Sequence, residues 1–503
     1  MDSLYMPSSC SLHPKIHHGH AKANPSRVCN RPAHTSNSFK TSNSIIDYPC
    51  FFYHRHKQKS TFPGRHSARK TKKYSQHSEE SNKIADKKGG TVAGAVALII
   101  GTSIGTGMLA LPEKASPAGL VPSSISVIVC WVFLLIEALL LVEVNVGLMR
   151  KQRKKEEEEN ELEVISIRTM AQETLGDWGG ALATFAYVFL GYSSIVAYSA
   201  KSGEILLQLI NLPASVSGFL FTALFTMLIF IGGTRTTDQV NQWLTASMIG
   251  FLLAIEVVAV VFGGSSGVGG SSDWAKVPAT IPVVIFSLVY HDLAPVLCAY
   301  LEGDLRRIKA SVFLGSLVPL VALLVWDAIT LSLAAGAEQV IDPVELLFRA
   351  RWSGVSLMVR AFSLLAVGTS LIGTLLGFSE FFKEQLKNLS SHSPSKLKMK
   401  ENWWGRNKTN AMAMTMIVAP SLFVSITFPD AFSAATDFAG GYCMTVLYGV
   451  LPPAMAWTMQ KREHEFTDQK ALSNARPALI VVGLFACAIV IDQILQDILA
   501  LHS

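Results

Sequence analysis

Eleven apolar segments follow one another from residue 91 to residue 499. Each is close to the roughly 20 residues that ~30 Å of hydrocarbon demands of a helix. They run Thr91–Leu111, Ser124–Leu148, Ala181–Ala200, Ser217–Ile231, Gln242–Phe262, Ile281–Tyr300, Ala310–Ala335, Leu357–Phe378, Ala411–Phe428, Phe432–Met459 and Ala478–Leu499. Lipid offers no water to satisfy an open backbone, so a chain with this layout folds as an all-α polytopic membrane protein. The fourth segment is short, and the ninth and tenth almost touch across "FPD", so counts of ten and twelve stay open.

Half of the 503 residues are hydrophobic, and the charged ones crowd between the apolar runs. The loops after the even-numbered spans carry "RKQRKK", "RRIK" and "KLKMKENWWGRNK", whereas the opposite side has loops such as "GGSSGVGGSSD". The positive-inside rule sets the N-terminus and the basic loops on the side from which insertion occurs. The "EEEENELE" run beside "RKQRKK" reads as a solvated mixed-charge loop. The seven cysteines form no CxxC pair, so neither a zinc site nor a disulfide framework is indicated.

Residues 1–88 are of another kind, rich in Ser, His, Lys and Arg, with Asp2 the only acid before Asp47. A basic, Ser-rich, acid-poor leader is the composition of an organelle transit peptide. That reading implies a plastid or mitochondrial membrane, with a basic tail at some other membrane as the alternative. The transporter-like part is then 89–503: spans one to five over about 89–262, six to ten over about 279–460, and the last over about 478–499.

Two spans contradict their own apolar pattern. The first contains "GTSIGTG" from Gly101 to Gly107, and glycine costs about 1 kcal/mol in a helix interior relative to alanine. The sixth carries Tyr290, His291, Asp292 and Pro295 at its centre. Close packing of small residues would explain the glycines alone but not the His–Asp pair. Corresponding interruptions in two oppositely directed helices point to a binding site at the bilayer midplane. Where the first helix restarts, the N–H groups of Gly105 to Gly107 favour an anion, and glycine lets a carboxylate approach the backbone. Free carbonyls with the hydroxyls of Thr102, Ser103 and Thr106 suit an ammonium, so the arrangement matches a zwitterionic amino acid. A phosphate loop is excluded, because no P-loop lysine follows.

Ionisable groups inside spans are functional candidates by default. His291, with an unperturbed pKa of about 6.5, is either a proton carrier or a neutral imidazole bonded to loosened backbone. Asp292 either holds a proton, orients His291 or points towards a water-filled vestibule. Glu137 and Asp327 lie deep and are proton-carrier candidates. Glu143, a further proton-coupling candidate, is closer to the inner face, where snorkelling or pairing with Arg150 or Lys151 favours a gate or anchor over a proton carrier. Glu256 and Asp437 are further candidates.

The motifs "GTSIGTGMLALP", "EALLLVEVNV", "YSSIVAYSAKSGEIL", "FSLVYHDLAPVLCAYLEGD", "GSLVPLVALLVWD" and "LLAVGTSLIGTLLGFSEFF" occur in that order. From about Gly89 to its end, the chain resembles the aromatic amino acid permease (tryptophan/tyrosine permease) family of the amino acid–polyamine–organocation superfamily. The long basic leader resembles plant, plastid-directed members. The resemblance implies a leucine-transporter-type 5+5 inverted repeat with broken helices 1 and 6, plus one extra helix. It implies proton-coupled symport of tyrosine, tryptophan or phenylalanine, here across a plastid inner envelope membrane, with no enzymatic activity. It also sets Tyr192 and Tyr198 of the third span facing substrate, and Thr369 and Ser370 where sodium-coupled relatives of the fold bind an ion. Two hydroxyls without a carboxylate make a poor ion cage, which favours proton coupling. The expected partners are an amino acid, a proton and the bilayer, with no cofactor, metal or nucleic acid. A non-transporting sensor of the same fold and an ion or solute channel are the alternatives.

Overall fold

The computed structural model describes residues 90–155, 164–262, 272–334, 353–391, 403–464 and 476–502. The expected targeting region 1–88, the acidic run 156–163 and most of the Gly/Ser-rich loop after the fifth span lie outside the described residues. Every regular element among the described residues is helical. Nine helices are long and apolar enough to cross a bilayer, or ten when one bent pair is taken as a single span.

That bent pair is the first expected span, split into α1 (Val92–Ser103) and α2 (Gly107–Ala115) with 54° between their axes. Helix α3 (Leu120–Lys155) has 36 residues, about 54 Å at the α-helical rise, so its basic end projects beyond the hydrocarbon. The short α4 (Ile167–Leu175) follows, capped by the Ser166 hydroxyl. Buried Asn145 of α3 secures its approach by donating to Ile165 O at 3.1 Å. Helix α5 is Asp177–Ile210.

The fourth and fifth expected spans follow each other directly: α6 (Ala214–Phe262) holds two candidate spans, Ala214–Gly233 and Arg235–Ala259, joined at a kink. A single residue, Gly233, breaks it with φ 66°. An added Cβ there would meet nothing within 4 Å, so backbone conformation, not crowding, asks for glycine.

The sixth span is also divided, into α7 (Ile281–Leu288) and α8 (Ala294–Tyr300). After it come α9 (Leu305–Ala334), α10 (Ser353–Ser391) and α11 (Trp403–Thr427). The tenth expected span is helical from α12 (Phe432–Phe438) to α13 (Leu451–His464), but turns π-helical at Ala439–Met444 and Val446–Val450. It therefore contributes no single long α-helix. Gly440 lets this segment close on α7: a Cβ there would lie 1.9 Å from the Pro282 carbonyl oxygen. Helix α14 (Arg476–His502) ends the chain, packed on α13 and the π-helical segment.

Packing brings the two divided spans to the middle. Helix α2 lies on α7, α1 lies on α9, and α3 runs along α7, α8 and α9. Helices α5 and α10 pack on each other and on α6, closing the other side. Cys130, Cys298 and Cys443 are buried free thiols, and Cys487 is exposed.

Candidate functional site

The first break follows from residues that make poor helix. Ser103 ends α1, Ile104 is extended (φ −83°, ψ 113°) and Gly107 starts α2. The Thr106 amide donates to Ser370 Oγ of α10 at 3.2 Å, and the Thr106 hydroxyl donates to Ala366 O at 3.2 Å. The amides of Gly105 and Gly107 have no acceptor among the described residues. Ser103 Oγ is buried and without a partner. A Cβ on Gly105 would sit 2.7 Å from Ser370 Oγ, and one on Gly107 would sit 2.5 Å from Ser287 Cα. The glycines therefore let α10 and α7 close over the break while two N–H groups stay open.

The second break is made differently. Helix α7 stops at Leu288, Val289 is extended (ψ 128°), and Tyr290 leaves helical space at φ −135°, ψ 13°. A 3₁₀ turn over His291–Leu293 leads into α8, whose first turn holds Pro295, a residue suited to a helix start. His291 is fully buried, with Nε2 3.0 Å from Leu134 O of α3. A carbonyl only accepts, so Nε2 carries the hydrogen. Nδ1 has no partner, and the ring lies 5.2 Å from both the Tyr290 and Tyr448 rings. Tyr290 is buried against Ser316 of α9. Asp292 faces the other way: it is exposed at the centre of the bundle, and Oδ1 accepts from the Tyr448 hydroxyl.

The expected site residues therefore divide. Gly105, Thr106 and Gly107 stand at the first break together with Ser103. Thr102 is exposed, and its hydroxyl turns back onto Leu98 O and Ile99 O of its own helix. Gly101 abuts Thr245 of α6 at ordinary contact distance. Tyr198 points inward, 6.3 Å from Phe286 of α7, with its hydroxyl among those of Ser194, Ser370 and Thr374. Tyr192 takes a packing role. Its hydroxyl donates to Met416 O of α11 and its ring packs on Phe378, because six helical residues set it about 120° from Tyr198. Tyr290 and His291 likewise lie on the α3–α9 side of the break and Asp292 on the open side.

Among the proton-carrier candidates, Glu137 is fully buried and neither carboxyl oxygen has a partner. Asp327 is fully buried and accepts from Ser123 Oγ at 2.7 Å, with Oδ1 unmatched. Glu143 pairs with Lys309 of α9 at 2.5 Å and not with Arg150 or Lys151, since its side chain projects across to the neighbouring helix. Asp437 pairs with Lys114 at 2.7 Å, and Glu256 is half-buried with one unmatched oxygen. Thr369 donates to Ala366 O at 3.1 Å and touches the Met248 thioether.

Two residues escaped the sequence reading. Tyr448 holds Asp292, and nothing in "TVLYG" separates it from packing tyrosines. Lys201 is buried inside α5, paired with Glu204 at 2.9 Å and 4.9 Å from the Phe432 ring centre. A lysine at the edge of the apolar third span, three residues before Glu204, was the available signal for it.

A family model described as the tryptophan/tyrosine permease family matches residues 88–493. A tryptophan-specific transport protein of Pseudomonas aeruginosa is 27% identical over 437 residues, 81% of this chain and 95% of the relative. Tyrosine-specific transport system 1 of Haemophilus influenzae is 27% identical over 407 residues, 78% of this chain and 94% of the relative. Among solved structures, MhsT in complex with L-phenylalanine superposes with a TM-score of 0.54 at 13% identity, covering 81% of this chain and 99% of that one. At that identity the likeness speaks to fold alone. The fold is all-α and of the leucine-transporter type, with the first and sixth helices broken.

Proposed function

Because the chain belongs to the tryptophan/tyrosine permease family, we propose that it is a secondary active transporter carrying tyrosine or tryptophan together with a proton across an organelle membrane. The observation that carries this reading is the first break. Two unpaired amides, at Gly105 and Gly107, stand at the restart of a helix, where backbone dipoles favour a carboxylate. On α7, which packs against α2, the extended Val289 ends the helix and leaves helix-end carbonyls for an ammonium. Transporter sites of this design hold substrate between discontinuous helices near the midplane.

Proton coupling is supported by what surrounds Thr369 and Ser370. The Ala366 carbonyl already accepts from two hydroxyls, and Thr369 also touches a thioether. Further oxygens around Ser370 are the hydroxyls of Ser194, Thr374 and Tyr198, without the carboxylates that hold a hard cation firmly. Glu137, buried with both oxygens unmatched, is the carboxyl best suited to take up and give back a proton. The organelle membrane is supported by the basic, acid-poor leader.

The test is purified full-length protein in liposomes, with labelled tyrosine and tryptophan under an imposed pH gradient in sodium-free buffer. Accumulation that collapses with a protonophore is expected. Uptake that needs sodium and ignores pH overturns the coupling. Tyrosine binding without counterflow replaces transport with sensing. Glu137→Gln is expected to keep counterflow while losing pH-driven accumulation; retained accumulation removes Glu137 from the proton path.

A further inference from the structure

Resting on the reading of an aromatic amino acid site, we infer that Asp292, held by Tyr448, is the specificity-determining acceptor for a hydrogen-bond donor on the substrate side chain.

The geometry points to this from several sides. Of the three polar residues at the second break, only Asp292 is exposed, while Tyr290 and His291 are buried. Tyr448, fully buried, spends its one donor on Oδ1. The second carboxylate oxygen has no partner among the described residues, and an ionised carboxylate takes several hydrogen bonds.

Asp292 also lies at the right depth. The Thr106 amide, Ser370 and the Tyr198 hydroxyl mark one level, that of the open glycine amides. Tyr187, one pocket-length away on α5, packs against Gly377 and Phe378 of α10. Gly377 is seven positions past Ser370, about 10 Å along the helix. Asp292 is held by Tyr448, whose π-helical turn packs on α5, the helix that carries both Tyr198 and Tyr187. A substrate whose carboxylate is held at Gly105 and Gly107 would extend its aromatic side chain towards Asp292. Along that path α10 is open: Gly373 is exposed, and a Cβ there would meet nothing within 4 Å.

A phenol O–H or an indole N–H would donate to the free carboxylate oxygen. Phenylalanine would cover the carboxylate without answering it. Sites built to bond a substrate hydroxyl discriminate strongly against the analogue lacking it, because their own polar group is left unpaired. Here Tyr448 still partners one oxygen, so the discrimination is smaller, about tenfold or more.

The experiment is competition for equilibrium binding of labelled tyrosine to the purified full chain, which needs neither transport nor a proton gradient. Tryptophan should compete within about threefold of tyrosine, while phenylalanine and O-methyltyrosine should be at least about tenfold weaker. Phenylalanine competing as well as tyrosine overturns the inference, and so does arginine competing better than either. In Asp292→Ala the tyrosine-to-phenylalanine ratio should fall below about threefold. If that variant yields no folded protein, Asp292→Asn reads the same ratio, which should fall part of the way; an unchanged ratio in either variant assigns the reading to another group. Failure of proton coupling leaves all of these ratios intact. Absence of any tyrosine binding overturns the site itself.

Discussion

The two broken spans solve the same problem with opposite materials. The first, through Gly105 and Gly107, opens main chain: its unpaired groups are amides, and its side chains are minimal so that α7 and α10 can close in. The second opens side chains. His291 ties the break to the Leu134 carbonyl of α3, Tyr290 wedges against α9, and Asp292 is handed to Tyr448 on the π-helical segment. Main-chain amides recognise what all amino acids share, whereas a carboxylate beside a tyrosine recognises what differs among them. The contrast separates a common half of the pocket from a selective half, and mutations can test each half alone.

The largest effect is expected at the first break. Gly107→Ala would set a Cβ 2.5 Å from Ser287 Cα, a backbone atom with no flexible end to move aside. Overpacking of this kind costs typically 1–3 kcal/mol, here concentrated where α2 and α7 must approach. Uptake of every substrate should fall by about a hundredfold or more while membrane insertion, read as the yield of monodisperse protein, persists. Uptake within twofold of the parent would show that the approach is dispensable.

A smaller effect, of another kind, is expected at His291. Its Nε2–H spends itself on Leu134 O in a site with no exposure, which is the work of a clamp. His291→Leu removes the clamp and leaves a gap in polar matching; a lost hydrogen bond is worth about 0.5–1.5 kcal/mol net. Uptake should fall about tenfold with the shape of its pH profile unchanged. Retained exchange with loss of pH-driven accumulation would make His291 the proton carrier after all.

How much of this was legible in the chain follows from the same contrast. The first break announces itself, since glycines and hydroxyls in an apolar run have no other use than close approach or opening. The second announces itself by charge. Which face each residue of "YHD" takes was not legible, because a 3₁₀ turn after two non-helical residues erases helical phase. Tyr192 and Tyr198 could be told apart by their 120° separation, but not which of them faces inward. The π-helical segment whose Tyr448 meets Asp292 packs on α7 where Gly440 meets Pro282, and both are contacts between residues far apart in sequence. The same is true of Glu143, whose partner Lys309 comes from another helix.

The smallest effect sharpens the division most. Ser370 accepts from the Thr106 amide and so fixes the direction of the neighbouring open amides without itself being spent on them. Ser370→Ala removes that acceptor. The Thr106 amide is then either hydrated or turned towards the substrate carboxylate, and the two results oppose each other, so the net change should stay near the worth of one neutral hydrogen bond, about 1 kcal/mol or some fivefold. If the first break serves only the part common to all amino acids, the shift must appear in binding and be equal for tyrosine, tryptophan and phenylalanine. Competition binding on Ser370→Ala measures this directly. A shift that favours one side chain over another would mean that the main-chain half also selects, and the boundary between the two halves would have to be redrawn around Tyr198, the residue whose hydroxyl lies beside Ser370.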